Sequence, residues 1–184
     1  MDKEKLLISF SGGKTSGFMT QWCLNNFQDK YEMIVVFANT GLESEKTLEF
    51  VKKNSEYFGF NCIWVEAVTN PVWGKGVSAK VVTFETASRN GEPFDESNKK
   101  HGLPNQNAPK CTRELKSYAI KAYLRSIGWK KYYTAIGIRI DEIDRVNAKR
   151  KELRLIYPLV SDCPMTKQDV NQFWKEQPFN LEIR

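Results

Sequence analysis

Short apolar runs and helically spaced apolar positions take turns along the first third of the chain. Leu6-Leu7-Ile8, closed by Phe10, reads as a buried strand, because the run is short, apolar and partly β-branched. Phe18, Met19, Trp22, Cys23 and Phe27 then fall on one face of a helix. Met33-Ile34-Val35-Val36-Phe37-Ala38 is a second buried strand. Leu48, Val51 and Phe58 mark one face of a second helix, which Gly59 stops. Cys62-Ile63-Trp64-Val65 is a third strand. The strand–helix–strand–helix–strand order predicts an α/β fold with a mostly parallel, doubly wound sheet and helices on both faces.

From residue 67 to about residue 110 no period is sustained. Asn70-Pro71, Gly74, Gly76, Asn90-Gly91, Pro93, Gly102-Leu103-Pro104 and Ala108-Pro109 punctuate the stretch. The expectation is a long loop insertion, with Val81-Val82-Thr83-Phe84 as a short strand or packing segment, serving as a lid over the site. A helix opens at Cys111 with Thr112 as its N-cap, repeats at Leu115, Ala119, Ala122 and Ile127, and ends at Gly128. Residues 131–138 form a fourth strand and Ile156 to Val160 a last edge piece. Thr166-Lys167-Gln168-Asp169 caps a final helix carrying Val170, Phe173 and Trp174, which Pro178 ends. One domain spanning residues 1–184 accommodates all of this.

The chemistry gathers where strands end. Ser11-Gly12-Gly13-Lys14-Thr15-Ser16 lies between the first strand and the first helix. Glycines let a backbone approach an anion, free helix N–H groups point at it, and the helix dipole favours negative charge. Lys14 adds a positive charge; Ser11, Thr15 and Ser16 add hydroxyl donors. The inferred ligand group is a phosphate. The ordinary P-loop pattern needs glycine where Ile8 stands, and the dinucleotide fingerprint fails because Lys14, Thr15 and Ser16 separate Gly13 from Gly17. Asn39-Thr40-Gly41 closes the second strand at the same edge. Gly137 precedes Arg139, Asp141, Glu142 and Arg145 just past the fourth. Guanidinium groups grip phosphate or sulfate with paired donors, which lysine cannot do.

Composition narrows the partners only a little. The 184 residues carry a net charge of +6, which suits an anionic ligand and allows nucleic acid without indicating it. No apolar run is long enough to span a bilayer and no signal-peptide core opens the chain, so no membrane partner is expected and the cytoplasm is the default location. A homo-oligomer is the expected assembly. Cys23, Cys62, Cys111 and Cys163 are scattered without a C-x-x-C pair, so neither a zinc site nor an iron–sulfur cluster is expected. His101 is the one histidine, which disfavours a histidine metal centre or a Ser-His-Asp triad.

Ser11 to Ser16 resembles the S-G-G-K-[DT]-S signature of the PP-loop ATP pyrophosphatases, the adenine nucleotide α-hydrolases, whose fold is Rossmann-like. Phe37 to Glu43 followed by Thr47, Lys110-Cys111-Thr112 with Lys116, Gly137-Ile138-Arg139 with Asp141-Glu142 and Arg145, and Tyr157-Pro158-Leu159 followed by residues 166–179 are similar to the phosphoadenosine phosphosulfate (PAPS) reductase family within it. The variant here most resembles bacterial and phage-borne members. The resemblance implies that Ser11, Gly12, Gly13, Lys14, Thr15 and Ser16 hold terminal phosphates or sulfate, and that Ala38, Asn39 and Thr40 lie near adenosine, with Gly137 beside the nucleotide. It also implies that Lys116, Arg139 and Arg145 neutralise the anion, with Glu43 at the same anion site. Asp141 and Glu142 would bind magnesium, with ATP as ligand, or orient the arginines. Lys14, Arg139 and Cys111 are the implied catalytic groups; Lys110 and Arg113 could lower the Cys111 pKa at a helix N-terminus.

Two reactions fit the resemblance: attack on the ATP α-phosphate with release of pyrophosphate, or thiolate attack on PAPS or adenylyl sulfate with a thiol donor such as thioredoxin. Family reductases carry a Glu-Cys-Gly-[IL]-His segment that the sequence to Arg184 does not contain, which leads to the expectation of a truncated chain. The alternative is a module without turnover, binding nucleotide or nucleic acid in association with sulfur modification of DNA or transfer RNA.

Overall fold

The computed structural model describes residues 3–102 and 111–181. Six strands form one sheet in the order β4-β3-β2-β1-β5-β6. β1 (Glu4–Ser9), β2 (Tyr31–Asn39), β3 (Cys62–Thr69), β5 (Tyr133–Ala135) and β6 (Leu155–Ile156) run parallel, and β4 (Val77–Val82) runs antiparallel to β3. The parallel strands require crossovers, and α1 (Lys14–Asn26) and α2 (Glu45–Phe58) supply the first two. Ser44 caps α2 by accepting from the Thr47 N–H, and Gly59 ends it at φ 69°, a left-handed conformation that glycine adopts without strain.

Side chains alternate across the strands, so each face of the sheet has its own core. Leu6, Ile8, Phe37 and Trp64 face α1, α2, α5 (Pro158–Ser161) and α6 (Lys167–Lys175), where Met19, Leu48, Leu159 and Trp174 complete the first core. Leu7, Val36, Ala38 and Val65 face a π-helical stretch, Cys111–Tyr118, that runs into α4 (Ala119–Ser126). Leu115, Ala119, Ile120 and Leu124 bury against this second face. Ile127, expected inside, stands just past the end of α4 and lies 43% exposed, whereas Ile120, beside Ala119, is buried. The proposed N-cap side chain of Thr112 lies outside what the structure describes, as does that of Cys111.

The stretch expected to be a loop is largely built. β4 pairs with β3 from Thr69↔Val77 to Trp64↔Val82, and α3 (Glu92–His101) follows. Gly91 precedes α3 at φ 84°, and Pro93 occupies its first turn, where a missing N–H costs nothing. Residues 103–110 of the expected insertion lie outside the described part. The expected edge strand at Ile156 to Val160 also differs: β6 stops at Ile156, and Pro158 starts α5. Thr166 and Asp169 form the capping box of α6. Among the described residues no helix is long and apolar enough to cross a membrane.

Two cysteines belong to the first core. Burial pushes the Cys23 thiol up to about 12, with the Asp162 carboxylate adding to the shift, and burial pushes Cys62 up to about 12 as well. Raised folded-state values mean that each contributes stability below the ordinary pKa of 9.0 that is lost as pH rises through about 12. A thiol-exchange reagent at about pH 8 is therefore expected to spare both in the native protein and to modify both after denaturant is added. Rapid native labelling of either would contradict this packing.

Candidate nucleotide site

β1 leads directly into the start of α1. Gly13 precedes the helix in extended geometry, φ −95° and ψ 163°, and no side chain caps the helix. The first-turn N–H groups therefore face outward without an intrahelical acceptor. Ser16 turns inward instead: its hydroxyl donates to the Gly13 carbonyl at 3.0 Å, accepts from the Ser11 N–H at 3.2 Å and lies 2.9 Å from Ser11 Oγ. Ser16 thus shapes the turn, and Ser11 is the exposed hydroxyl.

Gly12 lies at φ 80° with no room for a side chain. A Cβ there would sit 2.6 Å from Thr47 Cγ2 and 3.1 Å from Phe37 Cε2. That close approach ties the loop to β2 and to the first turn of α2. Gly137 performs the same service after β5, since its Cβ would lie 3.2 Å from Ser16 Cα. The Lys14 carbonyl accepts from Trp174 Nε1 at 2.9 Å, which docks α6 on the helix start. The Lys14 side chain borders an open groove of about 550 Å³ shared with Gln168, Asn171, Gln172 and Lys175 of α6.

Arg139 bridges two elements. Its Nη1 donates to Thr15 Oγ1 at 3.0 Å, its Nε to Asp141 Oδ1 at 2.9 Å, and Nη1 also lies 3.0 Å from Glu142 Oε2. The guanidinium beside Asp141 holds that carboxyl below the usual carboxylate range. Arg145 pairs with Glu142 from the far end of the 3₁₀ turn Ile140–Arg145. Both carboxylates are therefore engaged by arginines. Among the described residues no three His, Cys, Asp or Glu side chains gather to hold a metal ion.

The second flank comes from β2 and the π-helical stretch. Lys116 Nζ lies 3.0 Å from Glu43 Oε1, which also accepts from Thr40 Oγ1 at 3.2 Å. Ala38 packs into the second core. Asn39 is fully buried. Its Nδ2 donates to Glu66 Oε1 at 2.7 Å and to the Ser88 carbonyl at 2.9 Å, and its Oδ1 accepts from the Gly41 N–H. The Asn39 amide is thus engaged within the protein.

Glu66 and Ser88 were not singled out from sequence. The buried Glu66 carboxylate accepts from Ser88 N–H at 2.6 Å and from Ser88 Oγ at 2.9 Å, holding the turn after β4 against the end of β2. An acid inside the apolar run from Ile63 to Val68 is the signal that marks it. Cys163 packs against the first core, and burial, with Asp162 next to it, keeps its thiol protonated.

The model of the phosphoadenosine phosphosulfate reductase domain matches residues 5–177. The uncharacterized nin region protein ORF290 of Escherichia phage lambda is 30% identical over 181 residues, covering 96% of this chain and 61% of that protein. An uncharacterized protein of Methanocaldococcus jannaschii is 30% identical over 131 residues, 71% of this chain and 25% of its own length. The chain therefore spans less than two thirds of either relative. Among solved structures, the U34-tRNA thiolase NcsA from Methanococcus maripaludis, determined with its 4Fe–4S cluster, shares the fold with a TM-score of 0.51. It is 19% identical, and the match covers 95% of this chain and 57% of that one.

Proposed function

Because the chain belongs to the phosphoadenosine phosphosulfate reductase domain family, matched over residues 5–177, we propose that it binds an adenine nucleotide with its phosphate or sulfate tail at the start of α1. One observation carries the reading: the uncapped helix start meets the Arg139 guanidinium at Thr15, 3.0 Å away. Backbone N–H groups, one ammonium and one planar guanidinium, set by Asp141 and Glu142 before any ligand arrives, are the preorganised donors that charge transfer at phosphorus or sulfur requires.

The preferred reaction is attack by an acceptor oxygen on the α-phosphorus of ATP. A new P–O bond forms there, the bond to the bridging oxygen breaks, and pyrophosphate leaves with the electron pair. Lys14 and Arg139 oppose the charge that builds on the transferring group. Thiolate attack on PAPS or adenylyl sulfate is supported less directly: burial raises the pKa of Cys23, Cys62 and Cys163, and the side chain of Cys111, the thiol the sequence points to, lies outside the described residues.

Calorimetric titration with ATP, adenylyl sulfate and PAPS tests the reading. One nucleotide is expected to bind, and Lys14→Ala is expected to weaken it by roughly tenfold to a hundredfold, as loss of a charge-assisted contact worth about 1.5–3 kcal/mol implies. Saturable heat from none of the three would overturn it. Pyrophosphate release from ATP, set against sulfite release from PAPS with a thiol donor, separates the two reactions.

A further inference from the structure

On the second face of the sheet the helical layer stops short. α4 and the π-helical stretch pack over β2, β3 and β4. The residues of β1, β5 and their continuation that point to the same face, Leu7, Ser9, Thr134 and Ile136, join Leu155 of β6 as the floor of a trough of about 510 Å³. Lys121 of α4, Lys130 and Lys131 stand around it, all exposed, and no Asp or Glu lines it. None of these three cations forms an ion pair with a described residue.

The rim is held in place. Arg154, at φ 53°, is the one non-glycine with positive φ among the described residues. Side chains with a Cβ avoid that conformation unless surrounding bonds fix it. Here the Arg154 carbonyl accepts from the Thr134 N–H at 2.8 Å, while its guanidinium turns to the other face of the sheet, 5.3 Å from the Tyr133 ring centroid. The turn before it is closed by Leu153 N–H to Lys149 O at 3.0 Å and Leu155 N–H to Arg150 O at 2.8 Å. The turn also carries Lys149, Arg150 and Lys151, all exposed, against a single acid, Glu152. Leu153 stands 53% exposed at the edge.

We propose that this trough binds a single strand of nucleic acid, with the phosphodiester chain on the cationic rim and bases against the apolar floor. An acid-free ring of cations complements a polyanion, and an apolar cleft between them complements the flat faces of unpaired bases. A duplex hides those faces and would meet only the rim. The inference stands apart from what the start of α1 binds, because it uses the opposite face of the sheet and none of the same side chains.

Fluorescence anisotropy of a labelled oligothymidylate of about 15 nucleotides, titrated at rising salt, reads the binding directly. Three phosphate contacts on a single strand give a log–log salt slope of about −2. Lys130→Glu with Lys131→Glu is expected to weaken binding tenfold or more at about 50 mM salt and to flatten the slope by about 1.4. Leu153→Ser, which leaves the charge alone, should weaken binding several-fold at an unchanged slope. Lys80→Glu with Lys99→Glu makes the same change of net charge on β4 and α3, at the opposite edge of the sheet, and should alter affinity less than about threefold. Failure to saturate at low salt, equal losses from the two double variants, or equal affinity for a duplex of the same length would each overturn the proposal. Folding of every variant is checked by its thermal midpoint.

Discussion

Replacing Trp174 by alanine is expected to remove about 4 kcal/mol of folding stability, the upper part of the range for large-to-small changes in a core. Trp174 is fully buried, and its ring meets Phe50 at 4.8 Å, Phe173 at 5.0 Å and Phe179 at 5.7 Å between centroids. Its indole N–H donates to the Lys14 carbonyl at 2.9 Å, so truncation opens a cavity and also releases α6 from the start of α1. For a chain of this length the midpoint of thermal unfolding should fall by about 8–16 °C. Trp174→Phe keeps most of the apolar volume while losing the donor, and should cost only about 1–2 kcal/mol. Denaturant unfolding of the three proteins gives these numbers. A loss below about 1 kcal/mol for the alanine variant would mean that α6 is not docked as described. Nucleotide titration well below the midpoint then asks whether the helix start still binds once its anchor is gone.

What could be read from sequence was what is encoded locally. The phosphate loop stood out because strand period, glycine pair and helix period meet within a few residues, and the structure brings Thr15 and Arg139 into contact across most of the chain. The capping box at Thr166 and the stop at Gly59 are equally local. The sequence marks only the end of β4, through Val81-Val82-Thr83-Phe84, because an edge strand buries little: of its residues only Val82 is buried, so the alternation before it is faint. Gly91 and Pro93 were read as breakers, whereas a left-handed glycine followed by a proline in the first turn also starts a helix. Pro158, which the sequence places inside a short strand or edge piece, sits instead in the first turn of α5. The role of Asn39 was beyond reach for another reason. Its bonds run to Glu66 and Ser88, partners that only tertiary packing brings to the end of β2.

Adjacent glycines in the phosphate loop are expected to answer alanine in opposite ways. At Gly12 the backbone has φ 80°, and the new methyl would meet Thr47 Cγ2 at 2.6 Å. Thr47 cannot swing aside cheaply, because it is buried and its hydroxyl is 2.9 Å from Ser44 Oγ at the cap of α2. The left-handed conformation costs about 1–2 kcal/mol and overpacking about 1–3 kcal/mol, so Gly12→Ala should lose about 3 kcal/mol of stability and with it the loop shape on which anion binding depends. At Gly13, φ is −95° and a Cβ would find only Ser11 Oγ at 3.8 Å. Gly13→Ala should therefore cost less than about 1 kcal/mol, and any loss of nucleotide affinity there reports closeness to the ligand rather than misfolding. The two contributions at Gly12 can be divided. Thr47→Ser removes the methyl that the new side chain meets and keeps the hydroxyl, so the double variant should recover the overpacking part, a coupling of about 1–2 kcal/mol, while the conformational part remains. No coupling would mean that the loop and the first turn of α2 do not touch as described, and that the left-handed backbone alone requires glycine at position 12.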